Sequence, residues 1–188
     1  MSKHFLLGFF LLLPATTLAQ DYRPRYEVFG TAGYSATYDD EGGIGRGLDV
    51  GAGFGVRAIG KLGFEGSVNR VSHLREFSFP SIRFEGTAIF ACANALYHFS
   101  DSKAQPYAIG GIGVLHHKDR SSGLGPPRPP LSGSGFAFNF GTGVKVFVSK
   151  HVSVRPEVRV FVGDLGESAG IEPPFSLLRG SVGIGYHW

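Results

Sequence analysis

The stretch Leu178-Arg-Gly-Ser-Val-Gly-Ile-Gly-Tyr-His-Trp188 decides the fold. Val182, Ile184, Tyr186 and Trp188 are bulky and apolar, and they alternate with Ser181, Gly183, Gly185 and His187. A period of two is the signature of a strand whose two faces meet different surroundings. Here the strand runs to the last residue and stops on an aromatic. A transmembrane β-barrel produces this pattern, because one face meets lipid, the other meets the lumen, and aromatics mark the interface.

Working outward, seven further runs alternate in the same way. They are Arg25 to Ser35, Leu48 to Ala58, Leu62 to Val71, Arg83 to Phe99, Pro106 to His116, Gly135 to Val148 and Val152 to Phe161. The second is the cleanest, with Leu48, Val50, Ala52, Phe54, Val56 and Ala58 on one face and Asp49, Gly51, Gly53, Gly55 and Arg57 on the other. In the sixth, Phe136, Phe138 and Phe140 oppose Asn139, Gly141 and Lys145. In the seventh, Val152, Val154 and Val158 oppose Arg155, Glu157 and Arg159. Tyr97 and Phe99 end the fourth run and are read as lipid-facing, at headgroup level. The alternation does not assign the other faces of the fourth run or those of the glycine-rich fifth. Each run is near the ~9–11 residues of a tilted membrane strand. Short connections (Gly60-Lys61, Ser100 to Gln105, Ser149 to His151) alternate with longer ones (Thr37 to Gly47, His73 to Ile82, His117 to Gly133, Gly163 to Ser176). That asymmetry separates periplasmic turns from external loops. The expected fold is all-β, an eight-stranded antiparallel up-and-down transmembrane barrel over residues 20–188. Pro156 interrupts the seventh run, and proline cannot donate to a ladder, so a local bulge or one missing hydrogen bond is expected there.

Residues 1–19 read as a signal peptide. Lys3 and His4 precede the apolar run Phe5 to Leu13, Pro14 ends it, and Thr17-Leu-Ala19 supplies small residues for cleavage after Ala19. The run is about half of what a spanning helix needs. No later segment is long and apolar enough, so an α-helical membrane protein is excluded. A formal net charge of +3 is too small to argue for nucleic acid. Cys92 is the single cysteine, so no internal disulfide forms.

The inward set carries Glu27, Asp49, Arg57, Glu65, Lys145, Arg155, Glu157, Arg159 and Arg179. An interior of ~8 strands is just wide enough for side chains, so these charges are expected to fill it as a structural salt-bridge network. A turn at Gly60 puts Gly55 opposite Glu65 and Arg57 on the diagonal to Glu65. A turn at Lys150 puts Lys145 opposite Arg155, with Glu157 shared by the two cations. No cofactor or metal is expected. Gly51-Ala-Gly53-Phe-Gly55 lacks the helix that a nucleotide loop requires. His116 and His117 point to opposite faces of a strand and do not converge on a metal with Asp119. A soluble ligand-carrying barrel needs the reverse polarity, apolar within and polar without.

These residues resemble the small outer-membrane β-barrel proteins, the OmpA-type transmembrane domain and its OmpX-like relatives. The resemblance rests on the export signal, the eight strands, Gln105-Pro-Tyr-Ala-Ile-Gly-Gly-Ile-Gly113, Phe140-Gly-Thr-Gly-Val-Lys-Val-Phe147, Val154-Arg-Pro-Glu-Val-Arg159 and Tyr186-His-Trp188. It implies an outer-membrane location among lipid and lipopolysaccharide, and a monomer. It also implies insertion by the barrel assembly machinery, with Tyr186 and Trp188 as the assembly signal, although Trp188 stands where such families more often end on phenylalanine. No peptidoglycan-binding domain is expected after the barrel. The expected role is non-enzymatic, in membrane integrity or in adhesion through external loops that bind a surface ligand. The alternatives are a lipid A-modifying enzyme, for which Ser72, His73, His116 and His117 are the candidate residues, or a small passive pore.

Overall fold

The computed structural model describes residues 23–37, 46–76, 82–123, 131–164 and 175–188. Residues 1–19, read above as a signal peptide, and the Pro-rich stretch 125–130 lie outside them. Eight strands form: β1 (Tyr26–Thr37), β2 (Arg46–Ile59), β3 (Leu62–Glu76), β4 (Ile82–His98), β5 (Ala104–Gly123), β6 (Leu131–Phe147), β7 (Val152–Asp164) and β8 (Phe175–His187). Each pairs antiparallel with its sequence neighbours, and β8 closes on β1, giving one closed all-antiparallel barrel. Closure leaves no sheet edge, so every strand has a partner on both sides, which a backbone in hydrocarbon requires. No helix among the described residues is long and apolar enough to cross a membrane.

Side-chain alternation sets the faces. Phe136, Phe138 and Phe140 are exposed on the outer wall, as are Val50, Val68, Val158, Val182 and Ile184. The polar members of the same strands are buried inside. Aromatics gather at the end that carries the short turns. Trp188 stacks on Tyr26 at 5.9 Å and lies 6.1 Å from Tyr186, and Tyr97 meets Phe99 edge-on at 5.4 Å. This is an interface girdle on one side of the membrane.

The strands run from 12 to 20 residues and exceed the sequence-based expectation mainly at the opposite end. β5 continues past His116 to Gly123 because β4 and β6 extend with it, and Asp119 pairs with both Gly86 and Leu131. At Pro156 there is no bulge. The β7–β8 ladder passes through Pro156↔Val182 in register. On the other side the β6–β7 pairs jump from Gly143↔Glu157 to Val146↔Val154 with register unchanged. The missing donor thus costs local pairing on one side only. The register shift lies instead between Arg57 and Ile59, next to the tight turn at Gly60, whose φ of 56° favours glycine.

Candidate functional site: the filled lumen

Six strands deliver charge to the middle of the barrel. Glu27 comes from β1, Asp49 from β2, Glu65 from β3, Lys145 from β6, Arg155, Glu157 and Arg159 from β7, and Arg179 from β8; Tyr107 of β5 adds a hydroxyl. All are buried. At the centre two carboxylates and two guanidiniums alternate in a closed ring. Arg155 Nη2 donates to Glu65 Oε2 and to Glu157 Oε2, both at 3.0 Å. Arg159 donates from Nη2 to Glu65 Oε1 and from Nε to Glu157 Oε1, both at 2.6 Å. The Tyr107 hydroxyl donates to Glu157 Oε2 at 2.7 Å, and Asn94 Nδ2 donates to Glu65 Oε1 at 3.4 Å. The Arg155 guanidinium also lies 4.2 Å over the Phe29 ring. Each carboxylate therefore meets several charge-assisted donors, the condition under which burying ions is tolerated.

Two further pairs flank the ring. Lys145 bonds Glu27, and Arg155 Nη1 stands 3.6 Å from Glu27 Oε1. Arg179 Nε pairs with Asp49 Oδ1 at 2.8 Å, and its Nη2 donates to Thr31 Oγ1 at 2.9 Å. The buried set balances: four cations (Lys145, Arg155, Arg159, Arg179) against four carboxylates (Glu27, Asp49, Glu65, Glu157). Glycines make room for it. A Cβ at Gly183 would stand 2.8 Å from Arg155 Cγ, and one at Gly141 would stand 2.9 Å from Arg159 Cγ. A side chain at either position would displace an arginine of the ring.

Two expected pairings are corrected. Arg57 does not reach Glu65. It bonds Asp101 in the β4–β5 turn and donates from Nε to the Gly60 carbonyl at 2.8 Å, at the short-turn end of the barrel. The carboxylate shared by Lys145 and Arg155 is Glu27 from β1 and not Glu157, which serves Arg155 and Arg159. Arg57 stands beside the register shift at the β2–β3 turn and is held by rim groups, whereas Glu27 and Lys145 meet from β1 and β6. In so narrow a barrel, long side chains reach across the lumen rather than along the wall.

Toward the longer-connection end the filling changes character. Val71, Ala88, Phe90, Cys92, Leu115, Ala137, Phe161 and Leu177 form one buried apolar cluster, with Phe90 and Phe161 rings 4.9 Å apart. Sequence reasoning missed this layer and the inward Tyr107. The signal for Tyr107 was present, since the period of two from Gln105 runs inward through Tyr107, Ile109, Gly111, Gly113, Leu115 and His117. At the short-turn end a cavity of about 30 Å³ remains, bordered by Lys145, His98, His187 and Phe147. That is room for a water or two and for nothing larger.

The residues considered for hydrolysis are scattered. Ser72 and His116 project outward on strands separated by β4, and His117 is buried inside. The side chain of His73 lies outside the described set. The outer wall holds one Ser–His contact, His116 Nδ1 with Ser134 Oγ at 2.8 Å, and no carboxylate orients that ring among the described residues. No group of metal-ligating residues converges among the described residues.

No curated protein matches the chain. Solved structures do, at low identity. Neisserial surface protein A is 18% identical with a TM-score of 0.62, covering 87% of this chain and 97% of its own. Ail, the attachment invasion locus protein of Yersinia pestis, is 15% identical with a TM-score of 0.56, covering 87% and 99%. OprG from Pseudomonas aeruginosa is 14% identical with a TM-score of 0.55, covering 89% and 98%. All three are outer-membrane or surface proteins of the same fold. The family described as the outer membrane protein beta-barrel domain matches residues 5–171. The chain thus belongs to the outer membrane protein β-barrel family, and its eight strands close as such a barrel.

Proposed function

We propose that this protein is a sealed, non-enzymatic platform in the outer membrane, which holds its four longer connections at the cell surface for structural or adhesive contacts. One observation carries the reading: the lumen is closed twice, by the charge-balanced ring around Arg155 and by the apolar cluster around Phe161. A sealed cylinder offers the exterior only its wall and its loops, and loops on a rigid scaffold are where binding function collects. The nine charged residues named from the sequence then serve stability. Eight of them lie in the lumen and Arg57 clasps the β4–β5 turn. In the same reading, residues 1–19 direct export and are removed, and residues 20–188 form the barrel. The assembly machinery inserts it by its last strand, with Tyr186 and Trp188 as the signal, and it works as a monomer without a cofactor.

The loop sequences suggest what to test. Thr37 to Gly47 and Gly163 to Ser176 are acidic, through Asp39, Asp40, Glu41, Asp164, Glu167 and Glu172, whereas His117 to Gly133, the ends of β5 and β6 with the segment between them, holds Lys118, Arg120 and Arg128 against Asp119. Ail was crystallised with the heparin analogue sucrose octasulfate, a polyanion. Cells displaying the full chain are expected to retain heparin, and to lose it when residues 120–129 are replaced by a short Gly-Ser linker. Equal retention by both would refute a ligand role for that loop.

The His116–Ser134 contact favours a second reading, a serine esterase acting on acyl chains at the outer leaflet. A nucleophile of this kind needs its base oriented by a third group and an oxyanion site, and neither accompanies the pair among the described residues. Mass spectrometry of lipid A after overexpression is expected to show no acyl chain lost or gained. A lost chain that returns in Ser134→Ala would establish the enzyme instead.

A further inference from the structure

The outer wall of β3–β6 carries a polar band that the sealed-platform reading leaves unused. Arg70, Ile89, His116 and Ser134 are successive register partners across the four strands, and all project outward. Ser72, Thr87, Lys118 and Ser132 form the next row toward the longer-connection end. Among the described side chains of β6, β8 and β1, none that projects outward is charged.

Its height is set by the strands. Thr87 lies ten residues beyond Tyr97 of the aromatic girdle, and Ile89 lies eight beyond it. A tilted strand gains about 2.5 Å of height per residue, so the two rows stand roughly 20 and 25 Å above the girdle, at the far edge of the apolar band. Arg70 and Lys118 are both exposed on this wall. A lipid-facing cation at such a depth is stabilised by meeting an anion of the headgroup layer.

Directly beneath, one register step toward the membrane centre, lies a groove of about 490 Å³. Ala91 and Ala93 form its floor, and Val68, Ile112, Val114 and Phe136 form its walls. Small residues on β4 between bulky neighbours on β3, β5 and β6 leave an apolar depression open to lipid. The cationic row caps it.

We propose that this face binds one phosphorylated, acylated glycolipid of the outer leaflet, with its phosphate on Arg70 and Lys118 and an acyl chain in the groove. The polar rows cross three interstrand spacings, about 14 Å, which is wider than a single phosphate spans. Ser72, Thr87, Ser132 and Ser134 add hydroxyls suited to a sugar headgroup. The inference rests on the longer connections facing the cell exterior, as in the reading above.

The test uses the full chain folded in zwitterionic micelles, with native mass spectrometry as the readout. Bisphosphorylated lipid A is compared with its dephosphorylated form and with phosphatidylglycerol. One bisphosphorylated lipid A per barrel is expected to be retained, about tenfold more tightly than either comparator. The double variant Arg70→Ala/Lys118→Ala is expected to lose that preference. Ala91→Phe, which fills the groove and leaves the cations in place, is expected to weaken retention as well. Heat-modifiable gel migration verifies that each variant folds. Undiminished retention by the double variant, equal retention of phosphatidylglycerol, or a dimer that buries this wall would overturn the proposal. A separate arm labels Gly125→Cys on intact cells with a membrane-impermeant maleimide. Labelling only after permeabilisation would reverse the orientation, and would remove the outer-leaflet source independently of the micelle result.

Discussion

The two halves of the lumen close the same cylinder by different physics. Toward the short turns, Glu65, Glu157, Arg155 and Arg159 interlock through directional, charge-assisted bonds. Toward the longer connections, Phe90, Leu115, Phe161 and Leu177 fill the space by contact alone. Removing a group should therefore have unequal consequences. A lost methyl group leaves a small void, whereas a lost carboxylate leaves two buried cations short of a partner. The ionic half should be brittle and the apolar half forgiving.

The largest effect should follow Glu65→Leu, because both ring arginines then share Glu157. A loss of about 3–5 kcal/mol is expected in urea unfolding from micelles, the usual consequence of breaking a buried ion pair from one side. An unchanged midpoint would mean that the ring contributes nothing to stability. In the apolar half, Leu177→Ala should cost about 2–4 kcal/mol by deleting buried methyl groups and leaving a cavity. If it costs more than Glu65→Leu, the order of the two halves is reversed. Tyr107→Phe sharpens the contrast within the ionic half. It removes only the hydroxyl that donates to Glu157 and should cost about 1–2 kcal/mol by the same assay. The smallest effect is expected for Asp101→Asn, which breaks the Arg57 and Arg23 pairs at the partly solvated rim, at about 1 kcal/mol or less. A loss as large as that of Glu65→Leu would place the rim, and not the ring, at the centre of stability.

The same contrast explains what the sequence revealed. The ionic half was legible because each inward charge stands between outward apolar residues, as Glu157 does between Pro156 and Val158. The period of two survives wherever the two faces differ in chemistry. In the apolar half they do not differ. Ile89-Phe90-Ala91-Cys92, Val114-Leu115, Val160-Phe161-Val162 and Leu177-Leu178 are apolar on both faces, so the alternation vanishes and the faces of the fourth and fifth strands could not be assigned. Cross-lumen partners were hidden for another reason. Register gives neighbours along the wall, such as Gly55↔Glu65, but the link from Glu27 on β1 to Lys145 on β6 depends on the barrel's diameter and on side-chain reach. The outward rows on β3–β6 were equally illegible, because Arg70, His116 and Lys118 align only once the strand registers are known.

The measurement that tests the account most directly is the conductance of the purified, folded barrel in a planar lipid bilayer. A lumen closed by both layers predicts a baseline without discrete steps across the voltage range that the membrane tolerates. Stable ohmic steps that scale with salt concentration would contradict it, for they would show a continuous water path past Arg155 and Phe161.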